Sequence, residues 1–321
     1  MRATRRRLLQ FPLAVMLVSG CASSPVITGD PGDVPEPEPP TRSAEAAAVA
    51  RWVAGLAAVV DELALTTQAW GADETGVAWL NALQEQSSAH VSRVVAADPV
   101  TGGPTAFPAP DAPALPTTPA VTSDEVLALL TKAVAAGTPI LRAGFAAATS
   151  GPDRLFHASL AVAANASLVP ALPPLAGGAG PAPFIGEDEP ASLAVALGHA
   201  RALISGLELG LGRLSPSNDL QAAGTERLTA AKRLRNTLIA SLTGDLPEVD
   251  TRELPNAMAT TAEILAAWAL LELNLLQAFG ALTAADESDT DAWLDAMLGQ
   301  VPWVHRWGGR LPYWPGWVAT S

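Results

Sequence analysis

The chain has 321 residues, of which 49% are hydrophobic and only 16% charged, and a net charge of −13. That is enough apolar material for a sizeable core, and the acidic balance argues against nucleic acid or an anionic lipid face as a partner. A single cysteine excludes a disulfide framework, while abundant Ala and Leu with little β-branched alternation favour an all-α fold.

The first seven residues include Arg2, Arg5, Arg6 and Arg7, and an apolar run from Leu8 to Val18 follows. The run is shorter than the roughly 20 residues a spanning helix needs, so residues 1–20 read as a signal peptide. It ends in Leu17-Val18-Ser19-Gly20-Cys21, which resembles the bacterial lipobox: an aliphatic residue, small residues, then the cysteine that receives lipid. The resemblance implies lipidation at Cys21, and with it a membrane anchor and an extracytoplasmic location in the cell envelope. Several acyl chains anchor stably where one is marginal. Thr4-Arg5-Arg6-Arg7-Leu8-Leu9-Gln10 also resembles the twin-arginine export motif; the general secretion route is the alternative. Residues 1–20 carry four arginines and no acid, so their removal takes the net charge from −13 to −17.

Residues 21–43 read as the lipidated cysteine and a tether, Pro- and acid-rich over 25–43. Such a segment buries no core and stays extended, about 3 Å per residue. Helical periodicity follows at about 44–70, with Val49, Trp52, Leu56, Val60 and Leu63 on one stripe, and at about 74–96. After a Pro/Gly-rich stretch from Asp98 to Val121, Thr122 and Glu125 have the spacing of a capping box that opens a helix to about 148. A fourth helix is expected at about 152–168, with Pro152 near its start. These four make a first bundle, 44–170, and residues 171–189 a Pro/Gly linker.

The pattern then repeats over 190–308. Leu193, Leu197, Ala200, Ile204, Leu207 and Leu211 form a stripe, followed by helices at about 218–243 and 257–284 and a last one from Ser288–Asp291 to about 299. The alternating run Gly206 to Leu211 could read as a strand, but it lies inside the longer helical stripe. Residues 309–321 form an aromatic tail. In each half the longest connection falls between the second and third helices, at 98–121 and 244–256. One long crossover in a four-helix bundle is the ferritin-like arrangement, so the expected architecture is two such bundles in tandem.

Three stretches of the second half, Ala196-Leu197-Gly198-His199-Ala200, Lys232-Arg233-Leu234-Arg235-Asn236 and Glu253-Leu254-Pro255, resemble the ferritin-like domain of unknown function of actinobacterial proteins called DUF4439. The resemblance covers roughly 190–307 and implies a ferritin-like fold with no assigned reaction; similar domains carry a Glu-His pair on the first helix, where this chain has Gly198. The first half looks like a more diverged copy.

A ferritin-like di-metal site takes a Glu from each of two helices and Glu-x-x-His from each of the others. Ser87, Arg154, Ala196 and Pro302 stand three residues before His90, His157, His199 and His305, so none fits and no metal or other cofactor is expected. Glu208 and Glu272 each sit among leucines on the first and third helices of the second half. Either both reach water at the edge of a stripe, or they form a buried polar group with Arg233 or Arg235. Glu272 can join the stripe Leu265, Trp268, Leu275, Phe279. A lone buried carboxylate would need such a partner. No phosphate loop or nucleophile elbow is present.

Four of the nine tryptophans lie near the C-terminus. Trp303, Trp307, Tyr313, Trp314 and Trp317 either strap back over the bundle or form an exposed aromatic contact surface. The expectation is a non-enzymatic envelope lipoprotein that binds an envelope protein or a small ligand, and no nucleic acid. The alternative is a ferritin-like di-metal oxidase or metal-storage protein.

Overall fold

A computed structural model describes residues 42–65, 74–105, 107–108, 122–184, 188–242, 254–285 and 290–318. Its elements are α1 (Ala44–Leu65), α2 (Glu74–Val94), β1 (Ala96–Asp98), β2 (Gly102–Thr105), α3 (Ser123–Ala147), α4 (Gly151–Ala166), α5 (Glu189–Arg213), α6 (Leu220–Ser241), α7 (Thr261–Ala285) and α8 (Thr290–Arg306). The chain is thus predominantly helical, and Gly206 to Leu211 are helical within α5.

The helix starts follow from local chemistry. Thr122 and Glu125 form the reciprocal capping box, with the Glu125 N–H donating to Thr122 Oγ1 at 3.3 Å and the Thr122 N–H to Glu125 Oε2 at 3.0 Å. Ser150 caps α4, its hydroxyl oxygen accepting from the Asp153 N–H, and Asp188 caps α5 through the Ala191 N–H. Pro152 and Pro190 sit in the first turns of these helices, where their missing N–H costs nothing.

Two expectations are corrected. The Pro/Gly-rich stretch after α2 opens with a short antiparallel hairpin, β1 on β2. Asp98 makes its turn by accepting from the N–H groups of Val100 and Thr101, and its strands of three and four residues are too short to show a period. The last helix, expected to stop near 299, continues through Pro302 to Arg306. Pro302 removes one backbone bond, but Val304 and Trp307 beyond it are buried and hold the turn in place.

Each half uses the same pairings: α1 packs on α2 and α3, and α3 on α4; α5 packs on α6 and α7, and α7 on α8. One tryptophan contact recurs. Trp52 on α1 donates its indole N–H to the Ala133 carbonyl of α3 at 3.0 Å and lays its ring on Gly137. Trp268 on α7 donates to the Gly206 carbonyl of α5 at 2.9 Å and lies on Gly210. In both, the glycine is four residues beyond the accepting carbonyl, and a Cβ there would stand 2.0 or 2.6 Å from the ring.

The described residues belong to one compact unit. A smaller core of Val60, Leu63, Trp79, Leu80, Leu83, Val126, Leu130, Val134 and Ala164 lies within α1–α4. A larger one runs from α1, α3 and α4 through α5–α8, because α4 packs on α7 and α8. Buried Arg154 on α4 seals this junction. Its guanidinium donates to the carbonyls of Thr283 at 3.2 Å and Ala284 at 2.9 Å in the last turn of α7. Those carbonyls have no partners within their own helix, and a cation suits the negative end of the helix dipole.

Candidate functional site

The most polar point of the interior lies in the second half. Glu272 on α7 is fully buried, and Arg227 on α6 is 4% exposed. Arg227 Nε and Nη2 donate to Glu272 Oε1 and Oε2, both at 2.7 Å, in a bidentate fork. Gln300 on α8 donates through Nε2 to Glu272 Oε2 and accepts from Arg227 Nη2 at 3.3 Å. Trp307 Nε1 adds a donor to Glu272 Oε1 at 3.4 Å. The guanidinium lies 5.1 Å from the centre of the Trp303 ring, and Trp307 stands edge-on against Trp268. Both carboxylate oxygens of Glu272 thus have donors within the group, as burying an ion pair requires.

The residues do not fit a di-metal centre. Glu272 is committed to a guanidinium, and a cation cannot enter beside Arg227 without meeting its charge. Among the described residues, no three His, Cys, Asp or Glu side chains are grouped so as to hold a metal ion.

The sequence-predicted residues separate accordingly. Glu272 is buried as one reading had it, but its partner is Arg227, and Arg235 lies outside the group with its guanidinium on the Asn236 side chain at the surface. Glu208 is at the surface too, its carboxylate 2.7 Å from Lys232 Nζ. The sequence expectations missed Arg227; the signal that could have found it is the spacing Ala223, Arg227, Ala231, Leu238, where it is the one charged member of the buried face of α6. Arg235, eight residues on, is rotated by about 80° on a helix of 3.6 residues per turn. Gln300 shares a face with Met297, Val304 and Trp307, all buried. Cys21 lies outside the described residues.

The C-terminal aromatics pack inward. Trp307, Trp314 and Trp317 are buried, Trp303 and Tyr313 half-buried, so these rings do not form an exposed contact surface. The segment from Gly309 to Trp317 runs back over the helices and pairs with the linker. Leu175 N–H donates to the Leu311 carbonyl at 2.8 Å, Tyr313 N–H to the Leu175 carbonyl at 3.2 Å, and Arg310 grips the carbonyls of Pro173 and Pro174. Gly316, at φ 91°, lets the strap lie on Gly280 of α7.

The strap ends on the first half. His90 Nε2–H donates to the Tyr313 carbonyl at 2.9 Å, Gln86 Nε2 to the same oxygen at 3.4 Å, and the Tyr313 hydroxyl to Glu85 at 2.7 Å. Trp314 lies 4.4 Å from the His90 ring and stacks on Phe156. Behind these latches is a cavity of about 10 Å³, lined by Trp52, Leu83, Gln86, Ser87, His90 and Ser167 among others, room for about one water. Burial lowers the pKa of His90 to about 4. It does the same for His157, also to about 4, against the opposing charge of Asp153, and it lowers that of His305.

Comparison of the chain with protein-family models, with curated proteins and with solved structures finds no match.

Proposed function

We propose that this chain is an exported lipoprotein, held to a membrane by lipid on Cys21, whose body is a non-enzymatic binding or scaffold protein of the cell envelope. The body is read as two ferritin-like halves, α1–α4 and α5–α8, the second resembling DUF4439, raised on the Pro-rich tether. The repeated pairing of helices supports that reading. The partner is an envelope protein or a small ligand.

The observation that carries the non-enzymatic reading is the closed Arg227–Glu272–Gln300 group. At the most polar position of the bundle interior both carboxylate oxygens are engaged by donors of the group, and a tryptophan-walled core covers it. Glu272, fully buried and held by Arg227, is poorly placed to meet a substrate. A di-metal oxidase would need carboxylates where Arg227 and Gln300 stand.

Three helices, Ser123–Ala147, Glu189–Arg213 and Thr261–Ala285, are long and apolar enough to cross a membrane. In α5 and α7, 61% of the apolar window is buried against the rest of the protein, against 28% in α3. Lipid on Cys21, rather than these helices, is taken as the membrane attachment. Fractionation of cells expressing Cys21→Ala tests this: the variant should leave the membrane fraction, and retention there would sink the lipoprotein reading. Metal analysis of protein purified without chelator tests the rest, since stoichiometric iron or manganese would reinstate the metalloprotein alternative.

A further inference from the structure

We propose that the C-terminal strap, residues 309–317, is an acid-released lid on the interior of the α1–α4 half. The argument starts from which residues hold it. Gln86 and His90 of α2 both line the cavity and both donate to the Tyr313 carbonyl. The latch and the cavity wall are therefore the same side chains. Opening the strap bares that wall, and closing it seals the wall under Trp314.

Burial, not the hydrogen bond, opposes a proton on His90: the Nε2–H donates to the Tyr313 carbonyl in either charge state and offsets only part of the cost of burying the charge. His90 is 7% exposed, and its Nε2–H is occupied by the Tyr313 carbonyl while Trp314 stands against the ring. No carboxylate among the groups that meet it offers a counter-charge. On α2, Glu85 faces the Tyr313 hydroxyl and Arg93 faces the Val100 carbonyl. The strap brings Tyr313 and the cation Arg310, whose guanidinium is on Pro173 and Pro174. α4 carries Asp153, on the Ser150 hydroxyl, Arg154, on the carbonyls of Thr283 and Ala284, and His157, whose ring meets Phe156 edge-on. The α1 and α3 side chains at the cavity, Trp52, Val53, Leu56, Val60 and Leu130, carry no titratable group. A proton on His90 is thus accommodated by opening, where water solvates the imidazolium. Burial holds the closed-state pKa of His90 near 4, against 6.5 when solvated, so the open strap should be on the order of 100-fold more populated at pH 4 than at pH 7.

Hydrogen–deuterium exchange of the purified chain from pH 7 to pH 4, corrected for intrinsic rates, tests the lid. Amides of the strap and of residues 173–175 should lose protection between pH 6.5 and 4 while α5 and α7 keep theirs. His90→Gln, which retains a donor but no titratable group, should keep the strap protected to pH 4, and His157→Gln should release it as the parent does. Three results would each overturn the proposal: a strap protected equally at pH 7 and pH 4, a strap lost together with α7, or a release unchanged by His90→Gln. If His90→Gln leaves the strap unprotected at pH 7, the parent's profile decides alone between local release and no release.

Discussion

Removing one member of the Arg227–Glu272 pair is the sharpest test of the interior. Arg227→Met leaves a carboxylate with no exposure and only Gln300 and Trp307 as donors. Stranding one charge of a buried pair costs about 3–5 kcal/mol. For a unit of this size, that corresponds to a fall in Tm of roughly 6–20 °C. Glu272→Leu should cost a similar amount by stranding Arg227. The double variant Arg227→Met/Glu272→Leu should recover most of the loss, because apolar replacement of an entire buried pair is often neutral or stabilising. Glu208→Gln, which breaks the half-exposed pair with Lys232, should cost about 1 kcal/mol or less. Urea and thermal denaturation followed by far-UV circular dichroism at pH 7 give all four values. If Arg227→Met costs no more than Glu208→Gln, water reaches the pair and the closed group is wrong. If the double variant loses as much as the two singles added, the pair contributes through something other than its mutual charge.

Three further expectations follow from the packing. Gly137→Ala should cost more than Gly210→Ala, at least about 2 kcal/mol for the tighter site, since the new methyl would stand 2.0 Å rather than 2.6 Å from a tryptophan ring. Gly299→Ala, which meets nothing within 4 Å, should stabilise by up to about 1 kcal/mol, and equal effects at the three sites would refute the contact. Arg154→Met should lower stability by about 1–3 kcal/mol by freeing the last carbonyls of α7, measured by the same unfolding; a neutral result would mean those carbonyls find other partners. The histidines set an acid dependence. Their folded-state pKa values, about 4 for His90 and for His157, lie below 6.5, so the unfolded chain takes up protons first. The contribution is whole above pH 6.5 and is lost as pH falls, by up to about 2 kcal/mol per buried histidine between pH 6.5 and 5. In His157→Gln, stability plotted over that window should be visibly flatter, and an unchanged slope would contradict the burial of its ring.

Helix positions were largely legible because they rest on short-range chemistry. Thr122 and Glu125 announce a capping box, and the box is there. The carboxylate Glu272 was legible as a member of an apolar stripe, but its partner was not, because pairing depends on which face of α6 turns inward. Lys232-Arg233-Leu234-Arg235 draws the eye as a basic run, yet the buried cation is the isolated Arg227 one turn earlier. The strap was half legible. Its aromatic content signalled burial or contact, but its docking on the linker uses backbone groups of Pro173, Pro174 and Leu175, which leave no side-chain signature.

The recurring tryptophan contact sets which parts of the two halves correspond in space. In the first half the tryptophan is on the first helix and the glycine on the third; in the second half these roles are exchanged. Laying the halves end to end sets α1 against α5 and loses the correspondence. Exchanging the helical hairpins, so that α1–α2 matches α7–α8 and α3–α4 matches α5–α6, preserves it. The contact therefore relates the two-helix hairpins of the fold in exchanged order, and not its halves in chain order.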